Sequence, residues 1–295
     1  MRVSSREICM AKILCILHAN CQGAELEHLL KASRHFSSTF HIERYTNYTK
    51  ENIPQESLEA CGLFLYQHIG PQWGELCSVN LLAKLSKRTP SLQIPNMLFT
   101  AYWPAWATRG PMNEFNDKFL NQRIAEGLPK EEIIRRYMSG GAFTHEDMDS
   151  ALERSIAIER TKEQNAYIKT VDYILDRWKE KPMFHTINHP CEELLIHATQ
   201  GILEGIGMPR MSSGELQAVR VDSAFPSYAG FDLPIHPGTA LHHGLKFIRP
   251  GQRFAVFGQQ MTFEQYIGRY IDCRLEGKEK DFPAYLQEYE LLTGT

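Results

Sequence analysis

Ile13-Leu14-Cys15-Ile16-Leu17-His18-Ala19-Asn20-Cys21-Gln22-Gly23 is the stretch whose reading decides the fold. A near-continuous apolar run of this length reads as a strand buried on both faces, as in a parallel sheet. The run breaks at Ala19-Asn20, and Leu26, Leu29 and Leu30 follow at once with helical spacing. Cys21 therefore falls where a strand ends and a helix begins. The first N–H groups of a helix lack intrahelical partners and its dipole favours negative charge, so a thiol there is expected to ionise more readily than a free one. The same strand–turn–helix geometry presents the nucleophile of elbow-type hydrolases. The competing reading is a small buried cysteine that fills space beneath a turn.

Outward from this turn, the first hundred residues alternate. A strand over 12–18 leads to a helix near 22–33, and Phe40, Ile42 and Arg44-Tyr45 suggest a second strand. A helical turn near 55–60 leads to Leu63-Phe64-Leu65-Tyr66; Leu76, Val79, Leu82 and Leu85 mark a helix, and Leu92-Gln93-Ile94 a last strand. This alternation predicts an α/β fold, a small parallel sheet with helices on both faces, over 11–98. Ligands of such sheets sit outside the carboxyl ends of the strands, where Cys21 and Tyr66-Gln67-His68 fall. Gln67 is placed either to donate an amide N–H to an oxyanion or to satisfy loop backbone groups.

Residues 99–183 read as an aromatic loop followed by a large, charged helical insertion. Phe99 to Trp106, followed by Arg109-Gly110-Pro111, is broken by proline and is a loop that either tucks over the core or walls a pocket. Thr144 and Asp147 resemble a helix cap, and Glu159-Arg160-Thr161-Lys162-Glu163 reads as a solvated helix with a possible break. Residues 184–295 carry a second motif region and C-terminal helices, with Thr262 and Gln265 as a capping box before an apolar stripe. The whole, 1–295, is read as one domain.

Two His-Pro pairs stand out. In Phe184-His185-Thr186-Ile187-Asn188-His189-Pro190-Cys191, Pro190 suits a first helical position, with Asn188 or His189 as cap. In Asp232-Leu233-Pro234-Ile235-His236-Pro237-Gly238, His236 occupies the same kind of place. A histidine so held can act as a general base; it can equally be a cap. His185, His189 and Cys191 are metal-ligand types, but a proline after His189 works against one shared helix face, and no metal is expected.

The formal net charge of -3 and pI near 6.5 give no basic footprint for duplex nucleic acid. No apolar run approaches the ~20 residues of a membrane span, and Met1–Arg6 lead into no secretory signal. Seven cysteines without a CxxC pair point to reduced thiols in a cytoplasmic protein. No Walker or dinucleotide loop is present, which leaves phosphoanhydride hydrolysis and hydride transfer unsupported. Oligomeric state is not legible.

Asn20-Cys21-Gln22-Gly23 after the first strand, together with Phe184-His185-Thr186-Ile187-Asn188-His189-Pro190, resembles the WcbI family of capsule polysaccharide biosynthesis proteins, over about residues 11–250. That resemblance implies coenzyme A binding, with acetyl-CoA as donor, and O-acetylation of a capsule sugar. The order of parts is also similar to that of SGNH hydrolases and acyltransferases, with Cys21 where their serine stands and Gln67 near their oxyanion asparagine. Asp232 and His236 are one residue further apart than that signature allows. The combined expectation is an acyl-CoA-dependent O-acyltransferase on a sugar or polysaccharide precursor. Cys21 is its nucleophile and His236 or His189 its base, with Asp232 in support. Gln67 and the backbone N–H groups of Gln22 and Gly23 hold the oxyanion. Asn20, Asn188, Trp103 and Trp106 contact the coenzyme, the tryptophans taking its adenine or pantetheine arm. The alternatives are a thiol-dependent esterase or deacetylase, and a non-catalytic coenzyme A or sugar-binding partner.

Overall fold

β1 (Ile13–Ala19) lies inside a four-stranded parallel sheet, ordered β2-β1-β3-β4, with β2 (Phe40–Thr46), β3 (Leu63–Gln67) and β4 (Ser91–Ile94). The computed structural model describes residues 11–220 and 230–293; Cys9 and the Met1–Arg6 segment lie outside them. Residues 15–17 of β1 are fully buried because strands flank it and helices cover both faces. On one face Ile16 and Phe64 pack with Leu58 of α3 (Gln55–Ala60) and Leu81 of α4 (Ser78–Lys84). On the other, α1 (Gly23–Ala32) buries Leu26, Leu29 and Leu30. A Cβ on Gly23 would meet the Ala19 Cβ at 2.9 Å and Arg44 Cδ at 3.3 Å, so only glycine lets α1 start this close to the strand it has just left. α2 (Arg34–Thr39) follows, capped by the Ser33 side chain.

These elements belong to a first unit, which among the described residues comprises 11–96, 165–169 and 195–220. It also holds most of α9 (Glu192–Gly205) and α10 (Ser213–Arg220), whose Glu215 accepts the Arg34 backbone N–H at 2.8 Å. The second unit comprises, among the described residues, 97–164, 170–194 and 230–293. It contains the helices α5 (Lys118–Ala125), α6 (Lys130–Arg136), α7 (His145–Glu163), α8 (Val171–Leu175), α11 (Pro237–His243), α12 (Phe263–Leu275) and α13 (Phe282–Thr293). Two hairpins complete it, β5 (Phe184–Thr186) with β6 (His189–Pro190), and β7 (Arg253–Val256) with β8 (Gln259–Thr262). The capping boxes at Thr144/Asp147 and Thr262/Gln265 are both formed.

Three local expectations change. After β3 a 3-10 segment over Pro71–Leu76, turned by Gly74 at φ +57°, precedes α4 where apolar spacing suggested one helix. α7 runs unbroken to Glu163, because Glu159 and Glu163 turn inward instead of facing solvent. Glu159 binds Lys162 at 2.6 Å, and Glu163 accepts the Thr170 and Val171 N–H groups at 2.8 and 3.1 Å, capping α8. Pro190 does not open a helix. It pairs with Phe184 in the β5–β6 hairpin, consistent with the extended backbone that proline imposes on His189, and α9 starts at Glu192.

In the first turn of α1, Glu25 is 1% exposed and its Oε2 has no hydrogen-bond partner among the described residues. Burial raises its carboxyl from 4.5 to about 8. The folded value lies above the unfolded one. The group's contribution to stability is therefore full below pH 4.5 and is lost as pH rises through about 8. Relative to Glu25→Gln, the wild-type protein should lose on the order of a few kcal/mol across that window. Urea denaturation of both proteins at several pH values tests this, and parallel stability curves would refute it.

Candidate active site

Winding reverses between β1 and β3, and the crevice outside the carboxyl ends of two such strands is where open α/β sheets bind ligands. The turn after β1 is braced there from three sides. The Asn20 N–H donates to Gln67 Oε1 at 2.7 Å, at the end of β3. The Asn20 side-chain amide donates to Asn96 Oδ1 at 3.2 Å, just past β4. Asn20 Oδ1 accepts the Gln22 N–H at 3.0 Å, an Asx turn, and its carbonyl accepts the Gly23 N–H at 2.9 Å. Cys21 sits partly exposed on this turn and is in no disulfide.

The bracing reassigns three expected oxyanion donors. Gln67 is fully buried, and its amide donates to the Pro95 carbonyl at 2.9 Å and to Gln22 Oε1 at 3.3 Å. Both amide hydrogens are used, so Gln67 holds the turn and does not face a substrate. The Gln22 and Gly23 N–H groups close on Asn20 for the same reason: the Asx turn satisfies the donors that a bare helix start would leave open. The loops leaving β2 and β3 on this side bring Lys50 Nζ to 6.0 Å from the Trp73 ring centre, a cation beside an aromatic face that no local motif announced.

The second unit holds the histidines. On β5, His185 Nδ1 lies 2.6 Å from Asp232 Oδ1, and the Leu233 N–H donates to the His185 carbonyl at 2.8 Å. The carboxylate thus holds the Nδ1–H tautomer, and Nε2 keeps its lone pair with no bond to the described residues. Asp232 partners His185, not His236, a pairing across 47 residues that sequence spacing could not reveal. His189 Nδ1 lies 2.5 Å from the Thr186 hydroxyl, which donates to Asn188 Oδ1 at 3.2 Å. Burial, and secondarily the His185 charge, lowers His189 to about 4. His236 caps α11 as expected: Nδ1 accepts the Gly238 N–H at 2.9 Å and Nε2 donates to the Tyr137 carbonyl at 3.0 Å. Both nitrogens are committed, which suits a cap and not a base.

The aromatic loop is tucked inward. The Trp103 indole donates to the Leu233 carbonyl at 3.0 Å and the Trp106 indole to the Glu114 carbonyl at 2.9 Å. The cavity these rings share with His236 has a volume of about 40 Å³, room for water but not for an adenine or pantetheine arm. Beside it Asp117 is hydrogen-bonded to the Tyr137 hydroxyl, and burial raises its carboxyl to about 6.

The family model described as polysaccharide biosynthesis enzyme WcbI matches residues 14–211. The chain belongs to the WcbI family. The match takes in the Cys21 turn and the His185–His189 hairpin and ends before Asp232 and His236, short of the 250 that the motifs alone suggested. Among solved structures the chain is similar to one described as WcbI, a novel polysaccharide biosynthesis enzyme. That structure is the native protein without a disulfide bond between coenzyme A and one of its cysteines. The TM-score is 0.68 at 16% identity, covering 95% of this chain and 96% of that one, so the likeness is one of fold. No curated protein matches. No helix among the described residues is long and apolar enough to cross a membrane.

Proposed function

We propose that this WcbI-family protein is a cytoplasmic acyltransferase that moves an acyl group, acetyl in the simplest case, from coenzyme A to a sugar hydroxyl of a surface polysaccharide precursor. The observation that carries this reading is a partly exposed cysteine on a hydrogen-bonded turn at the switch point of a parallel sheet. The description of that WcbI structure names coenzyme A and a cysteine together, as a disulfide that the structure lacks, and this supports the reading, Cys21 being the cysteine we assign to that part. Lys50 and Trp73 suit a phosphate and an adenine ring at the same strand ends.

Cys21 takes the acyl group as a thioester, and the coenzyme leaves as its thiol. The sugar hydroxyl then attacks the Cys21 thioester, its proton going to a general base and from there to the departing Cys21 sulfur; among the histidines, His185, oriented by Asp232, carries the tautomer that such a base needs. His185, in place of His189 or His236, is the base we assign. The test is an intact mass spectrum after incubation with acetyl-CoA. One acetyl group should be gained in the absence of acceptor and be missing from Cys21→Ala. An unmodified wild-type chain that also fails to acetylate any sugar acceptor would refute the reading.

His236→Ala should cost about 0.5–2 kcal/mol of stability, as the loss of a helix cap does, and keep most of the turnover. Thermal melts paired with acyl-transfer rates check both halves. A folded His236→Ala protein without activity would return His236 to the mechanism.

A further inference from the structure

Asp149 of α7 and His242 and His243 of α11 each bring one ligand-type atom to within 4.8 Å of the other two. His242 Nε2 lies 2.7 Å from Asp149 Oδ1. His243 is 5% exposed, and its Nε2 is buried without a hydrogen-bond partner among the described residues. A buried imidazole nitrogen left unbonded is costly in a folded protein, and here it belongs to a cluster of metal-ligand types. The Trp178 ring packs edge-on at 5.1 Å and helps fix the His243 ring.

We propose that Asp149, His242 and His243 bind a divalent first-row transition ion, zinc(II) being the best match. Two imidazoles and a carboxylate are borderline-to-hard donors of the kind zinc takes, and no thiolate is needed. Bonds of about 2.0–2.2 Å set tetrahedral ligands roughly 3.3 Å apart, so the Asp149–His242 contact of 2.7 Å would open slightly while the widest of the three separations, none above 4.8 Å, would close. The ion would sit at the C-terminal turn of α11, where the helix dipole favours positive charge. His145, one turn before Asp149 on α7, has its ring centre 4.7 Å from that of His242, on hand for a fourth ligand position. Such an ion would clip α7 to α11 and has no part in the acyl-transfer steps above. Asp149 and His242 are 93 residues apart, so no metal-ligand spacing shows along the chain.

The experiment titrates the chelator-treated full chain with Co2+ and then Zn2+. Absorbance reports the Co2+ donors, metal analysis the stoichiometry, and thermal melts the stability. One ion per chain is expected, with a Co2+ spectrum free of thiolate charge-transfer bands and a melting temperature raised by Zn2+. Asp149→Asn and His242→Asn alter partly exposed side chains and leave His243 in place, so the metal-free fold should survive. Each should weaken binding at least as much as outer-shell changes do, about 10- to 100-fold. No saturable binding, thiolate bands, or unchanged affinity in both variants would overturn the site.

Discussion

Cys21→Ala should reduce acyl transfer to the uncatalysed background while the protein stays folded. The thiol is partly exposed on a turn held by the hydrogen bonds that Asn20 makes with Gln67, Asn96 and Gln22, which the substitution leaves in place. The other described thiols make poor substitutes. Burial raises Cys15 far above the ordinary range, raises Cys61 and Cys191, and raises Cys273 to about 11. Limited iodoacetamide labelling of the native chain should therefore mark Cys21 first and Cys15 last, and coenzyme A should protect Cys21. Peptide mapping reads the order, and a rate assay on Cys21→Ala reads the consequence. If Cys21→Ala, folded, turns over at a rate near the wild type, covalent catalysis at this turn is wrong and the cysteine only binds or fills space.

The parallel sheet was legible because one local signal carries it. β1 is apolar but for His18 and is buried from Cys15 to Ala19, and the strands that follow recur at a spacing that leaves room for a helix between them. Cys21 and the cap at His236 were legible for the same reason, since each is set by its immediate neighbours. What could not be read depends on partners far along the chain. Nothing near Gln67 says that Asn20, Gln22 and Pro95 will use up its amide. Nothing near Asp232 points to His185 over His236, since spacing to a His-Pro pair is only a local cue. Trp103 and Trp106 show the limit from the other side. A Pro-broken aromatic loop has the composition of a pocket wall and of a core plug alike, and only their hydrogen bonds to the Leu233 and Glu114 carbonyls decide it.

His185→Ala should lower turnover by about 10²- to 10⁴-fold, the usual contribution of a positioned general base. The dyad geometry gives the reason. Asp232 accepts from Nδ1, so the lone pair sits on Nε2, the tautomer a base needs, on a ring with one edge partly exposed. Asp232→Asn should imitate much of this loss, because an asparagine that offers N–H to the ring favours the opposite tautomer; in the serine-protease triad the equivalent change lowers kcat by about 10⁴-fold. His189 makes a different expectation. Its Nδ1 is tied to Thr186 and burial holds it near 4, so His189→Ala should act mainly on stability by loosening the hairpin that carries His185. The two roles separate in double variants. Residues that act as one unit are non-additive, so Cys21→Ala with His185→Ala should be scarcely slower than Cys21→Ala alone. His185→Ala with His189→Ala should instead be less stable than either single variant. If His185→Ala keeps near-full turnover while His189→Ala, still folded, loses it, the base is His189 and the Asp232 pair is structural.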